Sequence, residues 1–362
     1  QDWHRVPGGT AVAANALAAA LVDTGEVGLT GVSPAGPAPG APWNPPVATE
    51  VLRLRLPWLY ESWDRLRWPR VTSAVSDADL VHLTVPIAPP PERVPMVATV
   101  HDVLPLTMPE MFTKRGARMM RRGLHRIRDE ASMVMVPTEM GAGEFIDNGF
   151  DRSRITVVPL GVDALPRPDD ESIAAAVERH GLVAPYVLFV GTSEPRKGLD
   201  VLATALERMG DERPMLALVG PQGWGSDEGG RGVGESLDSL TGQVRRLGFV
   251  ETSELNLLRA GAAACCLPSR AEGFGLPVLE AMAAGAPVVT TSGTPMAEFS
   301  DGVARLVPPG DSDALAEALG ELISDPAGAS AMRGAGRQRA AEYTWDRAAR
   351  SVLAVYDGVL GT

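Results

Sequence analysis

The chain lacks most of the features that mark secreted, membrane-spanning or nucleic-acid-binding proteins. It has only two cysteines in 362 residues, and these two, Cys265 and Cys266, are adjacent. They fall in a predicted buried strand, where neighbouring side chains point to opposite faces, so we predict free thiols in a reducing compartment. No apolar run approaches the ~20 residues that cross a bilayer, and no secretory signal is recognisable. We therefore expect a cytoplasmic protein that could also act at the inner face of the plasma membrane.

The charge balance and two missing motifs narrow the class further. The formal net charge of −12 argues against nonspecific nucleic-acid binding as the main activity. No G-x-G-x-x-G fingerprint is present, which disfavours a nicotinamide-dependent dehydrogenase. The turn at Arg196 and Lys197 lacks the second glycine and the Ser or Thr of a Walker loop. At 362 residues the chain is long enough for two domains with full cores.

The most informative stretch is residues 267–291, LPSRAEGFGLPVLEAMAAGAPVVTT. The apolar run 262–267 predicts a strand, and the segment 268–275, with its two glycines, predicts a loop. Pro277 suits the first position of a helix, Gly285 its end, and Pro287 prevents the helix from continuing. Residues 286–291 then predict a buried strand. Strand, glycine loop, short helix and strand form one turn of a doubly wound α/β sheet.

Two carboxylates in this stretch indicate the kind of ligand. Glu272 lies in the loop, and Glu280 lies about one turn into the helix. The backbone N–H groups between them should point outward at the helix N-terminus, which suits an anion, and these belong to Gly273, Phe274, Gly275 and Leu276. A nucleotide sugar fits, because Glu280 could accept the ribose hydroxyls and Glu272 the hydroxyls of the transferred sugar. Either glutamate alone is better explained as a surface acid or as an acid that favours the helix dipole.

The run from Glu272 to Glu280, EGFGLPVLE, resembles the E-x7-E signature of retaining GT-B glycosyltransferases of the family 4 type, a family that includes bacterial mannosyltransferases. The resemblance extends over nearly the whole chain. It implies an α/β fold with two Rossmann-like, doubly wound domains that face each other across a cleft. We place an acceptor-side domain at residues 1–164, a nucleotide-sugar domain at residues 165–345, and a helix at residues 346–362 that crosses back to the first domain.

A second segment of the chain matches the same family. Gly191 follows the predicted strand 186–190, and the turn beyond it carries Arg196 and Lys197 at the start of a helix. Two cations with free N–H groups can hold a diphosphate. The resemblance implies that both residues bind the donor diphosphate and stabilise the leaving group, and that Val250 lies beside the donor base. Alone, an Arg-Lys pair is usually a solvated surface pair.

In the predicted first domain, the glycine turn of Gly8, Gly9 and Thr10 opens a helical run. The family has a strand before this turn, with the glycine pair lying over the donor phosphates and the acceptor. Residues 1–6 do not supply such a strand, so we expect the first strand to be missing. His101 follows the predicted strand 96–100, and the resemblance makes it the candidate catalytic residue of this domain, although a strand-end contact with Asp102 would also explain it. His82, within a strand, is better explained as a hydrogen-bonded structural histidine.

Two segments carry unusual surface chemistry. Residues 53–70 mix tryptophans with arginines, and Leu59, Trp63 and Leu66 have helical spacing, which indicates either a core-packed helix or an acceptor or membrane surface. Residues 111–128 are rich in basic side chains, four of which share a helix face: Arg118, Arg121, Arg122 and Arg126. That face could attract anionic lipid or a phosphorylated acceptor, and a merely solvated helix explains it equally well.

Together these features predict a retaining, metal-independent hexosyltransferase. The nucleotide sugar is its co-substrate, and no other cofactor is expected. The mannosyltransferase-like turn favours GDP-mannose as donor, with UDP-glucose or UDP-N-acetylglucosamine next and a saccharide or lipid-linked hydroxyl as acceptor. A phosphorylase, which ordinarily needs a pyridoxal lysine, an epimerase and a non-catalytic nucleotide-sugar-binding protein are the rivals.

Overall fold

The computed structural model describes residues 8–40, 44–221, 237, 240 and 242–361. The predicted position of a first strand, before residue 7, lies outside the described residues. The chain divides into two compact units. The first comprises residues 1–161 and 343–362, and the second residues 162–342.

The first unit is a parallel α/β structure. β3 to β6 form a four-stranded parallel sheet in chain order, and β1 and β2 form a separate parallel pair. The strands are β1 (Gly31–Ser33), β2 (Thr49–Val51), β3 (Val81–Leu83), β4 (Met96–Thr99), β5 (Met133–Val136) and β6 (Ile155–Val157). The helices are α1 (Gly9–Thr24), α2 (Trp58–Arg65), α3 (Leu104–Thr107), α4 (Lys114–Glu130), α5 (Glu139–Asp147) and a C-terminal helix (Trp345–Leu360).

Helices cover both faces of the four-stranded sheet. Ala98 and Val134 pack with Leu124 of α4 and Phe145 of α5. Val97, next to Ala98 in β4, faces the other way and packs with α1 and the C-terminal helix. Adjacent strand residues thus enter opposite cores, which explains why β4 is buried at every position.

A buried histidine ties the C-terminal helix to this sheet. His82 of β3 is bonded through Nδ1 to the Tyr356 hydroxyl and through Nε2 to the Thr99 hydroxyl, at 2.7 Å each. Burial lowers the pKa of His82 to about 4, so the ring is neutral at pH 7. The interpretation of His82 as a satisfied structural histidine is confirmed.

The second unit is built on a six-stranded, fully parallel sheet with the order β12–β11–β10–β7–β8–β9. Its strands are β7 (Tyr186–Val190), β8 (Met215–Val219), β9 (Val244–Gly248), β10 (Ala264–Leu267), β11 (Val288–Thr291) and β12 (Arg305–Val307). From β7 the strands continue toward one edge of the sheet as β8 and β9, and from β10 they continue toward the opposite edge as β11 and β12. The sheet is therefore doubly wound, and the reversal lies between these two neighbouring strands.

Seven described helices accompany this sheet: α6 (Asp170–Arg179), α7 (Leu199–Arg208), α8 (Thr252–Gly261), α9 (Leu276–Ala284), α10 (Pro295–Ser300), α11 (Ser312–Ser324) and α12 (Pro326–Ala340). The cysteines of β10 are buried free thiols, as predicted. Cys266 joins the core beneath α7 and α11. Burial raises the pKa of Cys265 to about 12, which leaves this thiol unreactive at neutral pH. Among the described residues, no helix is both long and apolar enough to cross a bilayer.

Candidate active site

The reversal of strand order in the second unit brings two loops together. β7 and β10 are parallel neighbours, with Ala264 opposite Val187 and Cys265 opposite Leu188. Because both strands run in the same direction, the loops that follow Val190 and Leu267 leave the same edge of the sheet. Ligands of open α/β sheets bind at such a switch point, beyond the carboxyl ends of the strands. The two predicted motifs therefore meet although about 75 residues separate them.

The first loop presents its two cations from a tight turn. Pro195–Lys197 form a single 3₁₀ turn, and Gly198 then caps α7 with a left-handed φ of 68°. A Cβ at Gly198 would lie 2.0 Å from the Pro268 carbonyl oxygen, so only glycine fits between the loops. Arg196 and Lys197 thus lie just before α7 and outside its first turn. The sequence predicted them at the start of this helix.

Glu272 lies at the centre of the site. Its carboxylate accepts hydrogen bonds from Lys197 Nζ at 2.5 Å, Arg196 Nη1 at 3.0 Å and the Ser269 hydroxyl at 2.8 Å. The Glu272 and Lys197 side chains are only 7% and 9% exposed. Arg196 also donates from Nε to Glu194, at 2.9 Å. The two cations predicted to bind a diphosphate therefore share one buried carboxylate.

The charge state of Glu272 follows from these neighbours. Burial alone would raise the pKa of this carboxyl, but the charges of Lys197 and Arg196 and the bonds from Lys197 and Ser269 lower it to about 2. Glu272 is therefore ionised throughout the physiological range. A surface acid would show neither this burial nor these partners, so the geometry rules out that alternative for Glu272.

The second glutamate is held by a residue that the sequence did not reveal. Glu280 lies in α9 with its side chain 30% exposed, and it forms an ion pair with Arg259 of α8, which is 3% exposed. Arg259 also donates from Nη1 to Asn256, at 2.9 Å. Arg259 therefore fixes the direction of the Glu280 carboxylate. Nothing in the local sequence marks Arg259, because its partner lies 21 residues further along the chain.

The glycine loop between the glutamates has a defined shape. Gly275 caps α9 with φ 94°, where a Cβ would lie 2.3 Å from Met296. The helix begins at Leu276, so Pro277 occupies its second position rather than the predicted first. Gly273 is buried, and Phe274 packs on Phe299 with ring centroids 4.9 Å apart. The Phe274 side chain is thus a core group, and only its backbone can face a ligand.

Two further predicted donor residues belong to the second unit. Gly191 follows β7, and a Cβ there would lie 3.9 Å from Lys197 Cε, which places it at the switch point. Val250 is buried between β9 and α8. β9 is the edge strand of the sheet, whereas the switch point is two strands away.

The remaining predicted residues lie in the first unit. Gly8 caps α1, and Gly9 and Thr10 form its first turn. His101 follows β4, at the carboxyl end of the sheet, as expected. Although part of His101 is accessible, desolvation lowers its pKa to about 4, so the imidazole is neutral at pH 7. Asp102 accepts a hydrogen bond from the backbone N–H of Leu104 at 3.0 Å, which anchors this strand end.

The first unit also corrects the prediction of a free basic face on α4. Arg122 pairs with Asp64 of α2 at 2.6 Å, and Arg126 donates to the carbonyls of Trp63 and Asp64. Both arginines therefore bind α2, although the Arg122 side chain is still 53% exposed. Arg118 and Arg121 remain exposed.

The aromatic segment next to α4 is partly a core helix and partly an exposed surface. Leu59 and Trp63 are buried, as the core-packed alternative predicted. Leu66, predicted to share their face, is 73% exposed because α2 ends at Arg65. Trp58 and Trp68 are 69% and 52% exposed. Aromatic and basic groups thus remain on this side of the unit.

The chain has two parallel α/β units, and one of them carries two cations and a buried carboxylate at its switch point. This is the organisation of a GT-B glycosyltransferase. The chain belongs to the glycosyltransferases of group 1 and family 4. The model of Glycosyltransferase Family 4 matches residues 7–164, and that of Glycosyl transferases group 1 matches residues 184–325. Together the two models span most of both units.

Curated relatives agree with this assignment. The chain is 29% identical over 266 residues to O-antigen chain mannosyltransferase B of Escherichia coli, with 72% of this chain and 69% of the relative covered. It is 30% identical over 291 residues to MMP alpha-(1->4)-mannosyltransferase of Mycolicibacterium hassiacum, covering 73% and 65%. It is 34% identical over 241 residues to D-inositol 3-phosphate glycosyltransferase of Mycolicibacterium paratuberculosis, covering 65% and 54%. The chain thus spans between 54% and 69% of the length of these relatives.

Solved structures show the same fold. Anabaena HepE in complex with UDP-glucose superposes with a TM-score of 0.79 at 20% identity, covering 98% of this chain and 97% of that one. WaaG, a glycosyltransferase involved in lipopolysaccharide biosynthesis, gives a TM-score of 0.73 at 17% identity, covering 99% and 98%. These likenesses show that the chain has the GT-B fold.

Proposed function

We propose that this glycosyltransferase moves a hexose from a nucleotide sugar to a hydroxyl of a saccharide or lipid-linked acceptor, with retention at the anomeric carbon. The observation that carries the proposal is the cluster of Arg196, Lys197 and Glu272 at the switch point, with Glu280 on the adjoining helix. The two cations suit a diphosphate, and the two carboxylates suit the hydroxyls at either end of the donor.

The pairing of Glu272 with both cations suggests how the site accepts its ligand. A buried lysine without an anion would be strongly destabilising, and Glu272 is the anion that pairs with Lys197. An entering diphosphate offers the cations stronger partners. Glu272 then exchanges its bonds to Arg196 and Lys197 for bonds to sugar hydroxyls. Ser269, which also donates to Glu272, keeps the carboxylate in place during this exchange.

The chemical step needs stabilisation of the charge that develops on the leaving diphosphate. Arg196 and Lys197 would supply it, so the proposal requires no metal and no cofactor beyond the donor itself. We assign front-face attack, in which the leaving phosphate takes the proton of the acceptor hydroxyl. His101, neutral at pH 7, is the candidate of the first unit for contact with the donor sugar.

The first choice of donor is GDP-mannose, supported by the mannosyltransferase relatives from E. coli and M. hassiacum. UDP-glucose or UDP-N-acetylglucosamine is the alternative, supported by the neighbour solved with UDP-glucose. To identify the base of the donor nucleotide, thermal stabilisation and slow donor hydrolysis are measured with GDP-, UDP- and ADP-sugars. A ligand at ~100 times its dissociation constant should add about 2.7 kcal/mol to the unfolding free energy.

Lys197→Ala is the test of mechanism. Hydrogen-bond donors aimed at developing charge are typically worth ~3 kcal/mol, so turnover should fall about a hundredfold or more. Lys114, the only other lysine in the chain, is exposed in the first unit, and Lys114→Ala is the matched control in a membrane-free assay. A near-normal rate for Lys197→Ala would refute the proposal. Donor binding without any turnover would instead indicate a non-catalytic nucleotide-sugar-binding protein.

We also propose that the first unit contacts an anionic membrane through a tryptophan–arginine surface made of Trp58, Leu66, Trp68, Arg118 and Arg121. All five residues are exposed. Tryptophan suits the headgroup boundary, and each surface arginine adds about 1 kcal/mol of attraction to anionic lipid. Action at the inner face of the plasma membrane remains a prediction.

Sedimentation with phosphatidylcholine vesicles, with and without phosphatidylglycerol, tests this contact. Arg121→Glu should weaken binding to the anionic vesicles about thirtyfold, since charge reversal removes roughly 2 kcal/mol. The control is Arg350→Glu, because the helix carrying Arg350 covers the other face of the sheet from α4. Equal binding of both variants would contradict the membrane contact and leave a phosphorylated acceptor as the ligand of this surface.

A further inference from the structure

One arginine joins the two loops of the candidate active site without being a predicted ligand group. Arg270, two residues before Glu272, donates from its backbone N to the Arg196 carbonyl at 2.7 Å. Its Nη1 donates to the Pro195 carbonyl at 2.8 Å. Arg270 therefore binds the Pro195–Lys197 turn through both its backbone and its side chain.

The same guanidinium also binds the start of α7. Nη1 donates to Asp200 Oδ1 at 2.8 Å, and Nη2 donates to Asp200 Oδ2 at 2.6 Å. Burial would raise the pKa of Asp200, but these bonds from Arg270 hold it below its usual value. Asp200 follows the turn by three residues, so Arg270 spans the turn from Pro195 to α7.

The close approach of the two loops at Gly198 links the bonds of Arg270 to the position of the two cations. Gly198 lies against the Pro268 carbonyl, and Arg196 and Lys197 immediately precede it. The turn has only two backbone hydrogen bonds of its own, from Lys197 to Glu194 and from Gly198 to Pro195, so its position depends on contacts made by the other loop. Arg270 supplies two contacts to the turn, at Pro195 and Arg196, and two more to Asp200 at the start of α7.

We infer that the Arg270–Asp200 pair is a positioning device that holds the Arg196–Lys197 turn in register with Glu272, and thereby sets affinity for the diphosphate and the rate of its departure. The inference rests on the proposed function of this site. Arg270 acts through the turn, since both terminal nitrogens of its guanidinium are engaged by protein oxygens. It is therefore not a catalytic residue.

The solvent exposure of the Arg270–Asp200 pair allows a positioning role to be distinguished from a role in global stability. The Arg270 and Asp200 side chains are 33% and 36% exposed, and ion pairs that are this accessible contribute little to global stability. Misplacing a catalytic group by about 1 Å can nevertheless cost up to a hundredfold in rate. Loss of the pair should therefore appear in turnover and diphosphate binding, with little change in the melting temperature.

The test compares Arg270→Ala, Asp200→Asn and Arg270→Lys. We expect the first two to lower kcat about tenfold and to weaken binding of GDP or UDP, whichever the wild type prefers, by a similar factor. Binding of guanosine or uridine, which lack phosphates, should be unchanged. Arg270→Lys, which keeps one charged contact with Asp200, should recover part of the loss. Asp200→Asn keeps the bonds from Arg270 to the turn, so it provides the test should Arg270→Ala not fold.

Two comparisons make the result decisive. The double variant Lys197→Ala with Arg270→Ala should lose less activity than the product of the two single losses, because the pair acts through this turn and Lys197 is part of it. Arg350→Ala removes a bidentate pair with Asp346 in the first unit and should leave both ligands and turnover unaffected.

Normal turnover and normal diphosphate affinity in Arg270→Ala would overturn the inference. So would an equal loss of nucleoside and nucleoside diphosphate binding, or fully multiplicative effects in the double variant. The proposed function fails separately: an unaffected Lys197→Ala would refute the diphosphate site itself, whereas an affected Lys197→Ala beside a normal Arg270→Ala would refute only the positioning role.

Discussion

The strongest prediction concerns the charge of Glu272, tested by Glu272→Gln. The pKa of this carboxyl is lowered from 4.5 to about 2 by Lys197, Arg196 and Ser269, against the effect of burial. A shift of this size corresponds to about 3 kcal/mol of unfolding free energy at neutral pH. Because the folded-state pKa is depressed, this stabilisation is present above about pH 4.5 and is lost as the pH falls toward about 2. Glutamine cannot ionise, so the variant lacks this pH dependence.

The measurement is urea unfolding followed by circular dichroism, at a series of pH values, for wild type and Glu272→Gln. The unfolding transition to be analysed is the one whose midpoint differs between wild type and Glu272→Gln. We expect its deficit relative to wild type to shrink by about 2 kcal/mol between pH 6 and pH 3. Other titrating groups, including His82 and His101, are common to both proteins and cancel in the difference.

A matched control separates the buried carboxylate from an ordinary ion pair. Glu254 also accepts bonds from two basic groups, Arg179 and His180, but it lies on the surface at α8. Glu254→Gln should show a clearly smaller pH-dependent difference because solvent screens its charge. If the Glu272→Gln deficit were the same at pH 6 and pH 3, Glu272 would not be the ionised partner of the two cations, and our account of this charge cluster would be wrong.

Three further predictions address single features of the two units. Gly198→Ala should cost at least about 2 kcal/mol of stability in thermal or urea unfolding, because it adds a clash to a left-handed φ, whereas Gly293→Ala, at φ 65° with open space around it, should cost only about 1. Arg259→Ala should raise the KM for the donor about tenfold, by releasing Glu280, with kcat much less affected; an unchanged KM would contradict the role of Arg259. His101 should remain neutral down to about pH 4 in an NMR titration, and a ring that titrates near 6.5 would contradict its desolvation.

The local architecture of the second unit could be predicted from the sequence because each signal there is short-range. Gly285 ends α9 with φ 76°, and the apolar runs around it are the buried strands β10 and β11. Glycine and proline restrict the backbone at their own positions, so their effect does not depend on distant residues. The boundaries moved by one or two residues, as at Leu276, where the helix begins one residue before Pro277.

The partners of the charged residues could not be predicted in the same way. Arg259, Arg270 and Asp200 are ordinary helix or loop residues in the sequence, and their contacts are with groups 21 to 75 residues away. The helical spacing on α4 predicted one shared face for four arginines, of which Arg122 and Arg126 bind α2 whereas Arg118 and Arg121 are exposed. It could not show that α2 supplies Asp64 for Arg122, since nothing in either segment specifies that the two helices pack together.

The two motifs of the site also explain why weak sequence signals became strong in combination. An Arg-Lys turn and a loop glutamate are each common on protein surfaces, where solvent screens them. At a switch point, however, the loops after β7 and β10 must leave the same sheet edge side by side. A pair of cations after one strand then requires a carboxylate after the other, because the ions that face each other there are removed from water and cannot remain unpaired. Lys197 and Glu272, each less than a tenth exposed, satisfy that requirement, and their pairing follows from strand order rather than from either motif alone.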